Sequence, residues 1–198
     1  METAQDRDTS IANEANNSSE IKVFTDGSGI NGSIGVAAVM YRKGRQGPAK
    51  ILRYHLGSSA SYMSFKAEVV RALMGIWMIR REHIMGHLPV TVLTDSQAVI
   101  KRAKSHKATT AQYLVENLLD IADDVNPANA DPTTKHFQLV WISGHSGVQG
   151  NERVDEEAKK AAQGDSSPLH RLLPILREEL PRSIAAVKQK QHMDLISR

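Results

Sequence analysis

The alternation of apolar and polar residues predicts three strands near the start of the chain. Residues 21–26, 33–42 and 51–56 are apolar-rich runs of strand length, and turn residues bound each of them. The gaps between these runs are short and contain glycine, as antiparallel hairpins require. Order is therefore expected to begin near Ile21, with a three-stranded antiparallel meander.

The apolar period then lengthens to that of a helix. Residues 64–84 place apolar side chains on one helix face, at Val69, Ala72, Leu73, Ile76 and Ile79. Further helices are predicted over residues 96–104, 108–125 and 151–162, and buried strands over residues 90–94 and 137–142. Strands joined by helical crossovers run parallel. The predicted fold class is therefore α/β, a five-stranded mixed sheet with three antiparallel strands, then two parallel strands, and helices on both faces.

The two ends of the chain differ in composition from its middle. Residues 1–20 are polar and show neither a strand nor a helix period, which predicts a disordered tail or linker. Residues 21–162 hold all the predicted strands and form the predicted domain. Residues 163–198 begin with a Gly- and Ser-rich break, and Pro174 and Pro181 interrupt their helical pattern. They predict a helical appendage that docks on the domain, with contact to a partner as the alternative.

Composition excludes several classes of protein and site. The chain has no cysteine, which excludes disulfides, thiolate-bound zinc and a thiol nucleophile. We find no apolar run of the ~20 residues that a membrane span needs and no signal-peptide pattern, so an intracellular site, in cytoplasm or nucleus, is expected. The net charge of +3 divides into −4 over the first twenty residues and +7 over the remaining 178. A basic body favours a polyanionic partner.

Two predicted strands end on the same short motif. Residues 25–28 read TDGS and residues 94–97 read TDSQ, so each strand delivers an aspartate, Asp26 or Asp95, to its carboxyl end. If the two strands are parallel neighbours, both carboxylates lie at the edge where open α/β sheets bind ligands. Aspartate also starts turns and caps helices, which explains either residue taken alone.

Two further acids lie at helix starts. Glu68 borders the apolar face of the long helix, where an acid is also an ordinary solvated neighbour. Asp155 is predicted in the first turn of the last domain helix, after a glycine-rich loop that carries His145. An ordinary turn with an acidic helix start would give the same pattern.

Four carboxylates at one sheet edge would repel one another unless a cation held them. With oxygen ligands alone on offer, hard divalent ions such as Mg²⁺ or Mn²⁺ suit such a site. Two of these ions ~3.5–4 Å apart can assist both the attacking water and the leaving oxygen of a phosphodiester. The cluster therefore predicts metal-dependent phosphodiester hydrolysis.

Four motifs in a fixed order resemble the ribonuclease H family, nucleases that cut the RNA strand of RNA–DNA hybrids. They are TDGS at 25–28, KAE at 66–68, TDSQ at 94–97 and the block HSGVQGNERVD at 145–155. The resemblance implies an endonuclease that leaves 5′-phosphate and 3′-hydroxyl ends, with two Mg²⁺ ions for which Mn²⁺ can substitute. The implied metal ligands are Asp26, Glu68, Asp95 and Asp155, with Asp26 between both ions. His145 would assist proton transfer or product release, and the implied substrate contacts are Ser28, Gln97, Lys66 and Asn151.

The chain also departs from the pattern of cellular family members. Residues 63–66 (MSFK) replace a pair of asparagines, and residues 96–125 lack a Trp- and Lys-rich handle. A handle-free form resembles the ribonuclease H domains of reverse transcriptases, especially those of non-LTR retrotransposons, so a reverse transcriptase domain in the same polyprotein is an expected partner. Candidate phosphate contacts are Lys66, Arg71, Lys101, Arg102 and Lys104, although an ordinary solvated charge explains each exposed one equally well. A non-catalytic hybrid-binding module and an integrase-like nuclease acting on DNA stay open as alternatives.

Overall fold

The structure is a computed structural model that describes residues 6–62, 64–82, 88–105, 111–126 and 137–181. One five-stranded sheet comprises β1 (Ile21–Ile30), β2 (Ser33–Arg42), β3 (Lys50–Ser58), β4 (Val90–Thr94) and β5 (Phe137–Trp141). The order across the sheet is β3-β2-β1-β4-β5. β2 pairs antiparallel with β1 and β3, whereas β4 pairs in parallel with β1 and β5. The predicted mixed sheet is confirmed.

The helices cover both faces of this sheet. They are α1 (Arg7–Ala15), α2 (Ser64–Arg81), α3 (Gln97–Ala103), α4 (Gln112–Val125) and α5 (Gln149–Ala162). Successive residues of a strand point to opposite faces. Val23 of β1 accordingly lies in the apolar cluster that contains α2 and α4, while Phe24 packs in a second cluster with Val154 of α5. None of the described helices is long and apolar enough to cross a membrane.

The backbone of helix α5 packs directly against the backbone of the sheet. A Cβ atom at Gly35 of β2 would overlap the α5 backbone at Ala161 and Ala162. Only glycine fits at this point, and the small side chain of Ala158 lies fully buried one turn earlier. This close contact fixes α5 against β2, the strand that pairs with β1 beside Asp26.

The prediction that residues 1–20 are a disordered tail is wrong for the described part. Arg7–Ala15 form helix α1, and Asp6 caps it by accepting hydrogen bonds from the Thr9 amide (2.8 Å) and hydroxyl (2.9 Å). Hydrogen bonds and ion pairs hold the segment to the domain: Glu14 pairs with Lys22 at 2.9 Å, and the Asn17 amide donates to Thr91 at 3.0 Å. A search for apolar periodicity does not detect an element that is held by polar contacts.

The segment after α5 docks on the domain but does not form the predicted helix. Between residues 163 and 181 it makes two single 3₁₀ turns, Leu169–Arg171 and Pro174–Leu176, because the prolines interrupt a longer helix. Its buried leucines join the same apolar cluster as α2 and α4: Leu172, Leu173, Leu176 and Leu180. Residues 182–198, where the predicted stripe continues, lie outside the described residues.

Candidate active site

Asp26 and Asp95 lie side by side where the parallel strands β1 and β4 approach the same sheet edge. Thr25 pairs with Thr94 in this register, so the residue after each threonine reaches the same place. β1 continues as a hairpin strand to Ile30, whereas β4 stops before Asp95. The structure therefore brings together the two aspartates of the repeated motif.

One arginine joins these two aspartates. Arg71 of α2 donates a hydrogen bond from Nη1 to Oδ1 of Asp26 at 3.1 Å, and its Nη2 forms an ion pair with Oδ1 of Asp95 at 2.6 Å. The residue is 7% exposed. The sequence predicts Arg71 as a phosphate contact, but in this structure its guanidinium is engaged by the acids of the site.

Glu68 faces the same cluster from the preceding turn of α2. Its Oε2 accepts a hydrogen bond of 2.5 Å from the Ser96 hydroxyl. Ser96 also caps α3 by accepting from the Val99 amide at 3.2 Å, so its position is fixed by the start of that helix. The capping serine that follows Asp95 thus holds Glu68 next to the β4 end.

Asp155 reaches the cluster from the opposite face of the sheet. It is the seventh residue of α5, so the prediction that it lies in the first turn is wrong; the first turn holds Glu152. The N-terminal helix dipole therefore acts less on Asp155 than expected, since that effect fades after one turn. Lys159 forms an ion pair with Asp155 at 2.7 Å, and this contact raises the pKa of the lysine.

The surroundings of Asp26 disfavour its charge. Burial, together with the charges of Asp95 and Asp155, raises the pKa of its carboxyl from 3.8 to about 6. The Arg71 guanidinium and the Gly27 amide, which donates to Asp26 at 2.6 Å, act in the opposite direction. Burial and like-charge repulsion outweigh these two contacts, as happens where carboxylates share a cation site.

The loop that carries His145 begins beside Asp95. A Cβ atom at Gly144 would lie 3.3 Å from Oδ2 of Asp95, and the exposed His145 adopts a left-handed backbone with φ of 49°. Arg7 of α1 donates to the His145 carbonyl at 2.8 Å, and Glu152 accepts from the Gly147 amide at 3.2 Å. The loop is thus held from both sides, with the imidazole at the surface.

The chemistry of these side chains fits a hard divalent cation. The donors are all carboxylates, and Asp26 and Asp95 already share a positive partner. Within the described residues, however, no three carboxylate or imidazole groups stand close enough to hold one ion. The four acids were predicted to meet around a shared ion. In this structure they do not, and Arg71 lies between Asp26 and Asp95.

The predicted substrate contacts divide into two groups. Ser28 on β1 and Gln97 at the start of α3 are partly exposed close to Asp26 and Asp95 in the chain, as expected of contact residues. Lys66 and Asn151 are 4% and 3% exposed, so their assignment as substrate contacts is wrong for this conformation. The Lys66 ammonium donates instead to the Pro181 carbonyl and lies 5.7 Å from the centre of the Tyr62 ring.

Comparison with known proteins identifies the family. A family model for RNase H matches residues 18–163. The chain belongs to the RNase H family. Ribonuclease H of Aeromonas hydrophila is 30% identical over 156 residues, which cover 73% of this chain and 91% of that protein. Membership of this family makes the chain a ribonuclease H enzyme.

Solved RNase H structures share its fold. LC11-RNase H1, solved in complex with an RNA/DNA hybrid, has a TM-score of 0.55 at 15% identity, over 72% of this chain and 96% of that chain. A foamy viral protease-reverse transcriptase, also solved with an RNA/DNA hybrid, has a TM-score of 0.55 at 15% identity, over 73% of this chain and 20% of that chain.

Proposed function

We propose that this RNase H family enzyme hydrolyses the RNA strand of RNA–DNA hybrids with divalent metal ions. The observation that carries the proposal is the meeting of Asp26 and Asp95 at the β1–β4 edge, within electrostatic reach of Asp155. A binding module without catalysis gains nothing from carboxylates near phosphates, because they repel the ligand. The acid cluster therefore favours catalysis over binding alone.

Asp26, Glu68, Asp95 and Asp155 are the residues that would hold Mg²⁺, or Mn²⁺ in its place, with two ions proposed. When bound, such ions supply charge stabilisation for phosphodiester hydrolysis to 5′-phosphate and 3′-hydroxyl ends. Ser96 orients the Glu68 carboxylate for this role through its hydroxyl. The imidazole of His145 is exposed on the loop beside Asp95, where it can carry a proton or assist release of the product.

The substrate is proposed to be read by shape and by its 2′-hydroxyl groups. Ser28 and Gln97 flank the acid cluster, and Lys101 and Lys104 are exposed on and just after α3 for contact with phosphates. An origin in a non-LTR retrotransposon polyprotein, beside a reverse transcriptase domain, is also part of the proposal. Its support is the handle-free sequence between β4 and β5, together with the fold shared with a viral reverse transcriptase.

The choice of substrate tests this function directly. A 5′-labelled RNA strand is offered in an RNA–DNA hybrid, beside a labelled DNA duplex and a labelled RNA duplex, each with Mg²⁺ or with EDTA. We expect cleavage of the RNA in the hybrid with Mg²⁺ but not with EDTA, and 5′-labelled products that end in 3′-hydroxyl groups. Binding of the hybrid without cleavage would support the binding module, and cleavage of the DNA duplex would support the integrase-like nuclease.

A further inference from the structure

Arg71 is a permanent cation inside the proposed metal site. Its two terminal nitrogens contact Asp26 within β1 and Asp95 just after β4. A divalent ion held by both aspartates would have to share that space with the guanidinium or replace it. Like charges a few ångströms apart repel strongly in a partly buried site, so the two cations compete.

The remaining contacts of Arg71 do not tie it to the protein scaffold. Its Nε is buried, and no described residue accepts a hydrogen bond from it. Arg53 on β3 shows the contrasting arrangement, because its Nε donates to the fully buried Glu157 and its Nη1 pairs with Asp165 at 2.6 Å. The head group of Arg71 is thus held by the carboxylates of the site.

Beside Arg71, the structure leaves room for one methyl group at Gly27. Gly27 follows Asp26 on β1, and a Cβ atom placed there would lie 3.8 Å from Nη1 of Arg71, an ordinary contact distance. The absence of a side chain at Gly27 leaves room beside the guanidinium. A long arginine side chain can therefore move its head group away from the aspartates while its stem stays on α2.

We propose that Arg71 is an internal counter-cation that competes with the divalent metal ion for Asp26 and Asp95. This inference rests on the proposed function, which makes these aspartates metal ligands. Without metal, the guanidinium offsets the repulsion between the buried acids; the metal ion binds only as the guanidinium withdraws. The free enzyme consequently binds divalent ions more weakly than the same acid cluster without Arg71 would.

The affinity for Mn²⁺ measures this competition without any need for catalysis. The electron paramagnetic resonance signal of free Mn²⁺ is followed as wild type or Arg71→Met is titrated at constant ionic strength. We expect Arg71→Met to bind Mn²⁺ at least about tenfold more tightly, since a unit charge beside the ion is removed. Equal or weaker binding by the variant would overturn the proposal.

Two further variants control for effects of the substitution on folding. Arg71→Gln also removes the charge but keeps a polar head, so it should bind Mn²⁺ more tightly even if the methionine variant fails to fold. Arg53→Met breaks a buried ion pair outside the site and should leave the Mn²⁺ affinity unchanged. Absence of hybrid cleavage by wild type at saturating Mg²⁺ would defeat the proposed function, whereas equal Mn²⁺ affinities would defeat the role of Arg71 alone.

Discussion

The carboxyl group of Asp26 is ionised at neutral pH against the preference of its surroundings. Burial and the nearby acids raise its pKa from 3.8 to about 6 in the folded protein. A raised acid pKa means that the folded state binds the proton more tightly than the unfolded state does. Stability from this group is therefore greatest below pH 3.8 and decreases as the pH rises from 3.8 to about 6.

Asp26→Asn removes this penalty, because asparagine resembles the protonated carboxyl. In EDTA at pH 7.5, we expect the free energy of unfolding of the variant to exceed that of wild type by up to about 3 kcal/mol. The difference should disappear below pH 4, and urea unfolding at both pH values measures it. Asp123→Asn, at an exposed position of α4, should change neither value. A variant less stable than wild type at pH 7.5 would contradict this account of Asp26.

Single residues differ in how far the sequence could place them. Asp26 and Asp95 were predictable because both directly follow the end of the parallel β1–β4 pairing, which brings them to the same place. Arg71 was expected to contact phosphate, since a sequence does not show which way a long side chain turns from α2. The prediction that Lys66 contacts the substrate was wrong. Its partner in the structure, the Pro181 carbonyl, lies 115 residues later in the chain, and the sequence does not show that the two meet.

Helix α1 acts on the site as a separate element. Its Arg7 donates to the His145 carbonyl, and its buried Ser10 accepts a hydrogen bond of 3.1 Å from the Ser143 amide. These two contacts hold the start of the loop that carries the imidazole. The polar sequence of residues 6–16 gives no sign of this element, because polar contacts with the rest of the domain stabilise it.

Arg7→Ala tests whether α1 positions the loop. Arg7 is exposed, so the free energy of unfolding should change by no more than about 0.5 kcal/mol. We expect kcat for hybrid cleavage to fall about threefold to tenfold with an unchanged KM, because the imidazole is less well placed. Arg45→Ala removes an equal charge from the exposed β2–β3 turn and should leave kcat unaltered. If kcat is unaltered in Arg7→Ala as well, α1 does not position the loop that carries His145.

The whole molecule brings together acids that lie up to 129 positions apart in the sequence, from Asp26 to Asp155. The sheet order, with β1 between β2 and β4, puts the first and third acids at its centre. Helices α2 and α5 then approach that edge from opposite faces with Glu68 and Asp155. This arrangement could be predicted from the topology. The structure of the segments before β1 and after α5 could not, because their contacts form only with the folded domain.

We propose that this sheet edge is the catalytic centre of the ribonuclease H. The most direct test compares wild type with Asp95→Asn in the Mg²⁺-dependent cleavage of a labelled RNA–DNA hybrid, after melting curves show that both proteins are folded. We expect kcat/KM to fall by at least about a hundredfold, because a proposed metal ligand is lost. Cleavage by Asp95→Asn at the wild-type rate would contradict it.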